Sequence, residues 1–121
     1  ELGKPIRTYC MMTVIAGASD AEAEARAQVY REGLDEGAVL GMLESYGALS
    51  SKEGGNAMTA RAQGAFMTQT VIGAPGTCAA QIERFLRDCD IDGLMFVFDD
   101  YQQGLRVTGR EILPQLRKAF A

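Results

Sequence analysis

The residues best suited to chemistry in this chain are two carboxylates and a phenol, Asp99, Asp100 and Tyr101, which follow directly on an apolar run. That run, from Leu94 to Phe98, is continuous and rich in aromatic and β-forming residues, which is typical of a strand buried on both faces of a parallel sheet. Proteins of the α/β class bind ligands at the C-terminal ends of such strands. The pattern therefore predicts these three residues as candidate substrate-binding groups.

Each candidate also has a structural interpretation. A carboxylate here could accept a hydrogen bond from a substrate N–H or hold an arginine from elsewhere in the fold. Alternatively, Asp99 or Asp100 caps the following helix, Asp100 being favoured, and Tyr101 packs on the rim. Arg61, in the polar stretch 48–63, could clamp an anionic group if its loop folds over the site, or could be a solvated surface charge.

A metal site is not expected, because the chain has three cysteines and no histidine. The spacing of the cysteines matches no C-x-x-C pattern and does not complete a zinc set. An odd number of cysteines on apolar faces is typical of structural thiols in a reducing compartment, which predicts a cytoplasmic protein. The turn at 73–76 precedes a helix and could invite a phosphate, but it lacks the full G-x-G-x-x-G pattern and is interpreted as a plain turn.

Composition places the chain among globular α/β proteins. Its 121 residues allow one domain, and 47% apolar with 23% charged residues allow a core. The net charge of −4, without a basic stripe, argues against nucleic acid. No apolar run reaches about 18 residues and no signal peptide is visible, so no membrane span is predicted.

Periodicity and capping signals predict the order strand, helix, helix, loop, helix, strand, helix. The predicted ranges are 6–16, 19–32, 36–46, 48–63, 75–88, 91–98 and 102–121. A capping box of Ser19 and Glu22 begins the first helix, whose stripe of Ala21, Ala25 and Val29 is expected to face the sheet. Segment 66–72 is either a short strand or merely extended.

The last helix has an expected buried face and expected weak points. Its apolar face is predicted to consist of Leu105, Ile112, Leu113, Leu116 and Phe120. Two glycines, at 104 and 109, are predicted soft spots, and the proline at 114 is expected to bend or restart the helix. Two βα units cannot by themselves cover both faces and both edges of a parallel sheet, so the chain is either part of a larger barrel or sheet, or assembles with another copy.

The segment 68–120 resembles the C-terminal end of bacterial luciferase-like flavin-dependent monooxygenases. The resemblance is carried by a Thr-Val-Ile-Gly turn at 70–73, the helix 75–89, the strand 93–101 and Gly-Arg-Glu-Ile-Leu-Pro at 109–114. The Phe-Asp-Asp-Tyr sequence at 98–101 resembles the pyrimidine monooxygenase branch, which opens the uracil ring. Residues 9–31 resemble that branch as well.

The resemblance implies that residues 1–121 form the C-terminal βα units of a TIM barrel, with the family's mobile insertion at 48–66. It also implies FMN, reduced by a flavin reductase, and an oxidation of a small organic, possibly pyrimidine-like, substrate with O2. Most flavin contacts in the family come from earlier units. The isolated chain is therefore expected to bind no FMN tightly and to be inactive.

Two alternatives remain open at this point. The chain could be a non-catalytic relic or subunit that dimerises, or that pairs with a partner supplying the rest of the barrel, and a homo-oligomer is predicted. It could also be a small α+β binding domain, which antiparallel pairing of the two strands would support.

Overall fold

The computed structural model describes residues 3–47 and 65–121. In chain order its elements are β1 (Tyr9–Ala16), α1 (Asp20–Glu32), α2 (Glu36–Ser45), β2 (Gln69–Gly73), α3 (Pro75–Asp88), β3 (Gly93–Phe98), α4 (Tyr101–Val107), a π-helical turn (Thr108–Ile112) and α5 (Leu113–Ala119). The predicted α/β class with crossover helices is confirmed, and segment 66–72 contributes a strand. Residues 48–64, with Arg61 and most of the expected insertion, lie outside the described residues.

The described strands form a parallel sheet in the order β2-β1-β3. Strand β1 pairs with β2 from Met12, opposite Gln69, and with β3 from Tyr9, opposite Gly93. Parallel pairing is what the βα units of a barrel require, and it argues against the small antiparallel α+β domain. The strand order was not predicted: β1 lies between β2 and β3, whereas neighbouring strands of a closed barrel succeed one another along the chain.

Helices pack on both faces of this open sheet. Side chains at alternate positions of β1, including Met12 and Val14, belong to one core on the first face. The helical members of that core are Cys78, Ala79, Ile82, Ile112 and Leu116. Ile15 alternates with these strand residues and so points to the second face. There Gly17 lies against α1 so closely that an added Cβ would stand 2.8 Å from the backbone nitrogen of Ala23.

This layering creates a topological switch point. The chain leaves β1 towards a helix on one face and leaves β3 towards helices on the other. A crevice between the carboxyl ends of two such strands is where open α/β sheets bind ligands. The residues that follow β1 and β3 therefore line this crevice, and Asp99 of the predicted site is one of them.

The first helix starts as predicted but presents a different face to the sheet. The Ser19 hydroxyl accepts from the Glu22 backbone N–H at 3.2 Å, which confirms the cap. The predicted small-residue stripe is wrong: Ala23 and Ala27 are fully buried, whereas Val29 is 64% exposed. The contact between Gly17 and Ala23 sets this rotation of the helix.

The strand β3 is covered on only one face. Leu94, Phe96 and Phe98 pack with the helical core, but Met95 is 51% exposed. The expectation of burial on both faces is therefore wrong at Met95. Its register neighbour on β1, Met11, is 46% exposed on the same face.

The C-terminal helix is divided near Pro114, as predicted from the proline at this position. Pro114 has no N–H, and the π turn places a Leu113 N–H to Thr108 carbonyl bond just before it. Helix α5 then begins with the proline in its first turn. Two residues of the predicted buried face are nevertheless exposed, Leu105 at 62% and Phe120 at 48%.

Candidate functional site

The predicted site residue Asp99 lies at the switch point and binds two side chains of α1. Its Oδ2 accepts from Arg26 Nη2 at 2.7 Å, from Arg26 Nε at 3.1 Å and from the Tyr30 hydroxyl at 2.9 Å. The Asp99 side chain is 9% exposed and that of Arg26 is 26% exposed. Of the three roles expected for this carboxylate, the one seen here is to hold an arginine from elsewhere in the fold.

The charges of this cluster stabilise one another. Partial burial lowers the pKa of Arg26, but the hydrogen bond and negative charge of Asp99 outweigh it, so the pKa is raised overall. The hydrogen bond to Asp99, with partial burial and the same negative charge, raises the pKa of the Tyr30 phenol. Arg26 therefore stays a cation and Tyr30 a neutral donor at physiological pH.

Sequence analysis did not identify Arg26 or Tyr30. They lie four residues apart and thus on one face of α1, which points towards the end of β3. The same helix turn also contacts Phe66. The Phe66 ring meets the Tyr30 ring edge-on, with their centroids 6.5 Å apart, and the Arg31 guanidinium lies 5.7 Å from the Phe66 centroid. An Arg/Tyr pair at this spacing after a buried strand is a signal that could have been noticed.

The neighbouring candidates have mainly structural contacts. Asp100 Oδ1 accepts from the Gln103 N–H at 3.0 Å, so the predicted cap on the following helix is confirmed. The Tyr101 ring packs edge-on against the Phe98 ring, with their centroids 5.9 Å apart, and Tyr101 is 58% exposed. Asp99, Asp100 and Tyr101 lie together at the end of β3, whereas Arg61 lies outside the described residues.

The turn before α3 is occupied by a carboxylate of the protein itself. Asp20 Oδ1 accepts from the Ala74 N–H at 2.7 Å. This bond and a second from the Thr77 hydroxyl lower the pKa of Asp20. In the same way, the Ala18 N–H donates to Glu22 Oε2 at 3.0 Å.

These contacts involve the kinds of group that would bind the phosphate of FMN. A phosphate at a helix N-terminus needs free backbone N–H groups and favours a nearby cation. Here the Ala74 and Ala18 N–H groups already donate to carboxylates, and Arg26 is paired with Asp99. These two N–H groups and this guanidinium are therefore not free for a flavin phosphate.

The thiols do not add reactive chemistry to this end of the sheet. All three cysteines are free. Burial, with the charge of Asp20 as a smaller cause, raises the pKa of the Cys78 thiol to about 11. Its Sγ donates to the Gly73 carbonyl at 3.4 Å, so this cysteine is a structural thiol.

Two further site types are not found in the described part of the chain. No group of three or more Cys, Asp or Glu side chains there could hold a metal ion. None of its helices is both long enough and apolar enough to cross a membrane.

The fold and site define an α/β protein whose polar groups converge at the carboxyl ends of parallel strands, an arrangement suited to small-molecule ligands. The chain is 28% identical over 119 residues to pyrimidine monooxygenase RutA of Acinetobacter baylyi, covering 94% of this chain and 32% of that protein. It is 29% identical over 124 residues to pyrimidine monooxygenase RutA of Variovorax paradoxus, covering 97% and 33%. With the protein of the same name from Methylorubrum extorquens it shares 30% over 124 residues, covering 97% and 32%.

These relatives confirm the resemblance to the C-terminal part of a luciferase-like monooxygenase. The chain spans about a third of the length of the curated relatives it matches. No family model matches it.

Proposed function

We propose that this chain supplies the C-terminal part of a luciferase-like, FMN-dependent monooxygenase that oxidises a small pyrimidine-like substrate with O2. The observation that carries the proposal is similarity to proteins named pyrimidine monooxygenase along 94% to 100% of the chain. FMN, reduced by a partner flavin reductase, is the proposed cofactor. Because the Ala18 and Ala74 N–H groups and Arg26 already have partners, we place the phosphate contacts outside the described residues.

The proposed contribution of this chain is one wall of the substrate site. Asp99 Oδ2 is held by Arg26 and Tyr30, which leaves Oδ1 without a protein donor among the described residues. A carboxylate oxygen fixed in this way can accept from a ring N–H, a group that pyrimidines carry. The phenol of Tyr101, two residues further along the chain, is proposed as a second substrate contact. Asp100 and Arg61 are further candidates.

A segment exchange tests the proposal. This chain replaces the segment it matches in the Acinetobacter baylyi enzyme, and uracil loss is followed with FMN, NADH, a flavin reductase and O2. We expect the exchanged enzyme to consume uracil. We expect the isolated chain to consume none and to show no saturable flavin binding. A soluble exchanged enzyme that binds FMN but leaves uracil unchanged would contradict the proposed function.

A tyrosine pair tests the role of the rim in the exchanged enzyme. Tyr101→Phe removes only a hydroxyl, and loss of one hydrogen bond to substrate is expected to raise KM by about tenfold. Tyr9→Phe is the matched control, because Tyr9 is 55% exposed against 58% for Tyr101 but lies at the opposite end of the strands. Equal KM values for the two variants would remove Tyr101 from the proposed site.

A second candidate function is a non-catalytic subunit or relic. It is favoured by the exposed side chains of Tyr9, Met11 and Met95, three large side chains that lie on one face of the sheet. The segment exchange separates the two candidates, because a relic would fold in the exchanged enzyme without restoring uracil consumption.

A further inference from the structure

The arginine at the switch point binds its carboxylate unevenly. Two Arg26 donors, Nη2 at 2.7 Å and Nε at 3.1 Å, bond to a single oxygen, Asp99 Oδ2. An arginine that pairs with a carboxylate frequently gives one bond to each oxygen, as two parallel N–H···O bonds. The same edge of the guanidinium could bind Asp99 in that way, but here both of its donors are used on Oδ2 and neither on Oδ1.

A third donor accounts for the uneven arrangement. The Tyr30 hydroxyl bonds to the same Oδ2 at 2.9 Å, so this oxygen accepts three hydrogen bonds. A turn of the Asp99 carboxylate that gave each oxygen its own guanidinium nitrogen would move Oδ2 off these contacts. The bond from the tyrosine therefore opposes that turn.

The surroundings hold both donors in place. The Tyr30 ring has the Phe66 ring edge-on beside it, with centroids 6.5 Å apart. The remaining guanidinium nitrogen of Arg26, Nη1, lies 3.9 Å from Glu22 Oε1, which keeps the Nε and Nη2 edge directed to Asp99. The Asp99 side chain is 9% exposed, so water competes little for its oxygens.

We propose that Tyr30 is a positioning residue whose hydroxyl keeps Asp99 Oδ1 available to a ligand N–H. Without the hydroxyl, the carboxylate turns to the arrangement with one bond to each oxygen, and Arg26 Nη2 takes Oδ1. The identity of the ligand rests on the proposed function, in which the N–H belongs to a pyrimidine ring. Tyr30 thereby determines specificity, because an N-methyl group gives Oδ1 no hydrogen and meets an oxygen that is not free to turn away.

Crystal structures of two variants of the chain test the positioning role directly. Tyr30→Phe removes only the hydroxyl, and we expect Arg26 Nη2 to lie about 2.8 Å from Asp99 Oδ1, with Nε on Oδ2. Tyr46→Phe is the matched control, since it removes the same group from another exposed tyrosine, one that follows α2. In the control we expect both arginine bonds to stay on Oδ2. The same result in Tyr30→Phe would overturn the proposal.

Ligand binding to the exchanged enzyme gives a second measurement. Equilibrium dialysis in the presence of oxidised FMN gives dissociation constants for uracil, 1-methyluracil and 3-methyluracil without turnover. With Tyr30 present, we expect one of the two methylated compounds to bind at least about 100-fold more weakly than uracil. Tyr30→Phe should lower that ratio by about tenfold or more, because Oδ1 no longer selects for the N–H. Tyr46→Phe should change the ratio by less than about twofold.

Turnover and binding distinguish this inference from the proposed function. The expected ratios without uracil consumption would contradict the function and support the role of Tyr30. Uracil consumption with equal ratios in the two tyrosine variants, or without discrimination against either methylated compound, would overturn the role of Tyr30 and support the function. An exchanged enzyme that binds none of the three compounds would contradict both.

Discussion

Removing the Asp99 carboxylate should destabilise the chain by an amount that the contacts allow us to estimate. Asp99→Ala deletes the acceptor of the bonds from Arg26 at 2.7 and 3.1 Å and from Tyr30 at 2.9 Å. One hydrogen bond to a charged group contributes about 1.5–3 kcal/mol, and breaking a buried pair costs about 3–5 kcal/mol. Arg26 is 26% exposed and has Glu22 at 3.9 Å, so water and Glu22 replace part of the lost interaction. We expect the free energy of unfolding to fall by about 2–3 kcal/mol.

A double-mutant cycle assigns this loss to the ion pair. Arg26→Ala alone should cost about 2 kcal/mol, and the double variant should cost less than the sum by about 1–2 kcal/mol. Asp100→Ala is the control, because it removes a neighbouring carboxylate whose partner is the Gln103 N–H. It should cost about 1 kcal/mol as a lost cap, with a coupling to Arg26→Ala below about 0.5 kcal/mol.

Urea unfolding followed by far-ultraviolet circular dichroism measures these free energies. All variants are compared at one protein concentration, because self-association would make stability depend on it. A coupling of Arg26 to Asp99 no stronger than its coupling to Asp100 would refute the ion pair. That result would mean that the guanidinium and the Asp99 carboxylate do not interact in solution, and the switch-point cluster would lose its structural basis.

Three further perturbations test other parts of the structure. The bond to Asp99 raises the pKa of Tyr30, so the contribution of this bond to stability is complete below about pH 10 and is lost as the pH rises through the folded pKa. Tyrosinate absorbance should show one tyrosine that ionises at higher pH than the others in the unchanged chain, and should not show it in Asp99→Ala. Hydrogen bonds from Ala74 and Thr77 lower the pKa of Asp20, so the contribution of Asp20 to stability is present above about pH 4 and is lost as the pH falls through the folded pKa. Asp20→Asn should make the free energy of unfolding less dependent on pH in that range. An unchanged slope would contradict the role given to these two hydrogen bonds. Gly104→Ala would place a Cβ 2.4 Å from the Phe98 ring, whereas the Cβ of Gly109→Ala would meet nothing within 4 Å. Thermal melts should show that Gly104→Ala lowers the free energy of unfolding by about 1–3 kcal/mol and that Gly109→Ala raises it by about 0.5–1 kcal/mol. Equal effects would count against the packing of Gly104 on Phe98.

Local signals in the sequence were sufficient for the ends of several helices. The Ser19 cap, the Asp100 cap and the interruption at Pro114 each depend on a residue and its neighbours within one helical turn. They could therefore be predicted without knowledge of the fold. The position of Asp99 at the end of a strand followed in the same way from the apolar run before it.

Contacts between distant parts of the chain could not be predicted. Arg26 and Tyr30 lie 73 and 69 residues from Asp99 in sequence, and only the packing of α1 against the sheet brings them together. The buried face of α1 was misassigned because alanines occur on several of its faces, and hydrophobicity does not distinguish Ala21 from Ala23. Gly104 was taken for a weak point because sequence does not show that the Phe98 ring occupies the space beside it.

Three carboxylates at the carboxyl end of the sheet hold its loops together and limit what the proposed binding site can use. Asp20 ties α1 to the turn before α3, Asp99 ties α1 to the end of β3, and Glu22 returns to the loop after β1. These bonds tie three loops together around the switch point, and they occupy the Ala18 and Ala74 N–H groups and Arg26. A ligand bound here must use groups left over, such as Asp99 Oδ1 and the Tyr101 phenol, together with donors from other segments. In the proposed function the described residues form one wall of the site, and the chain spans about a third of the length of its relatives.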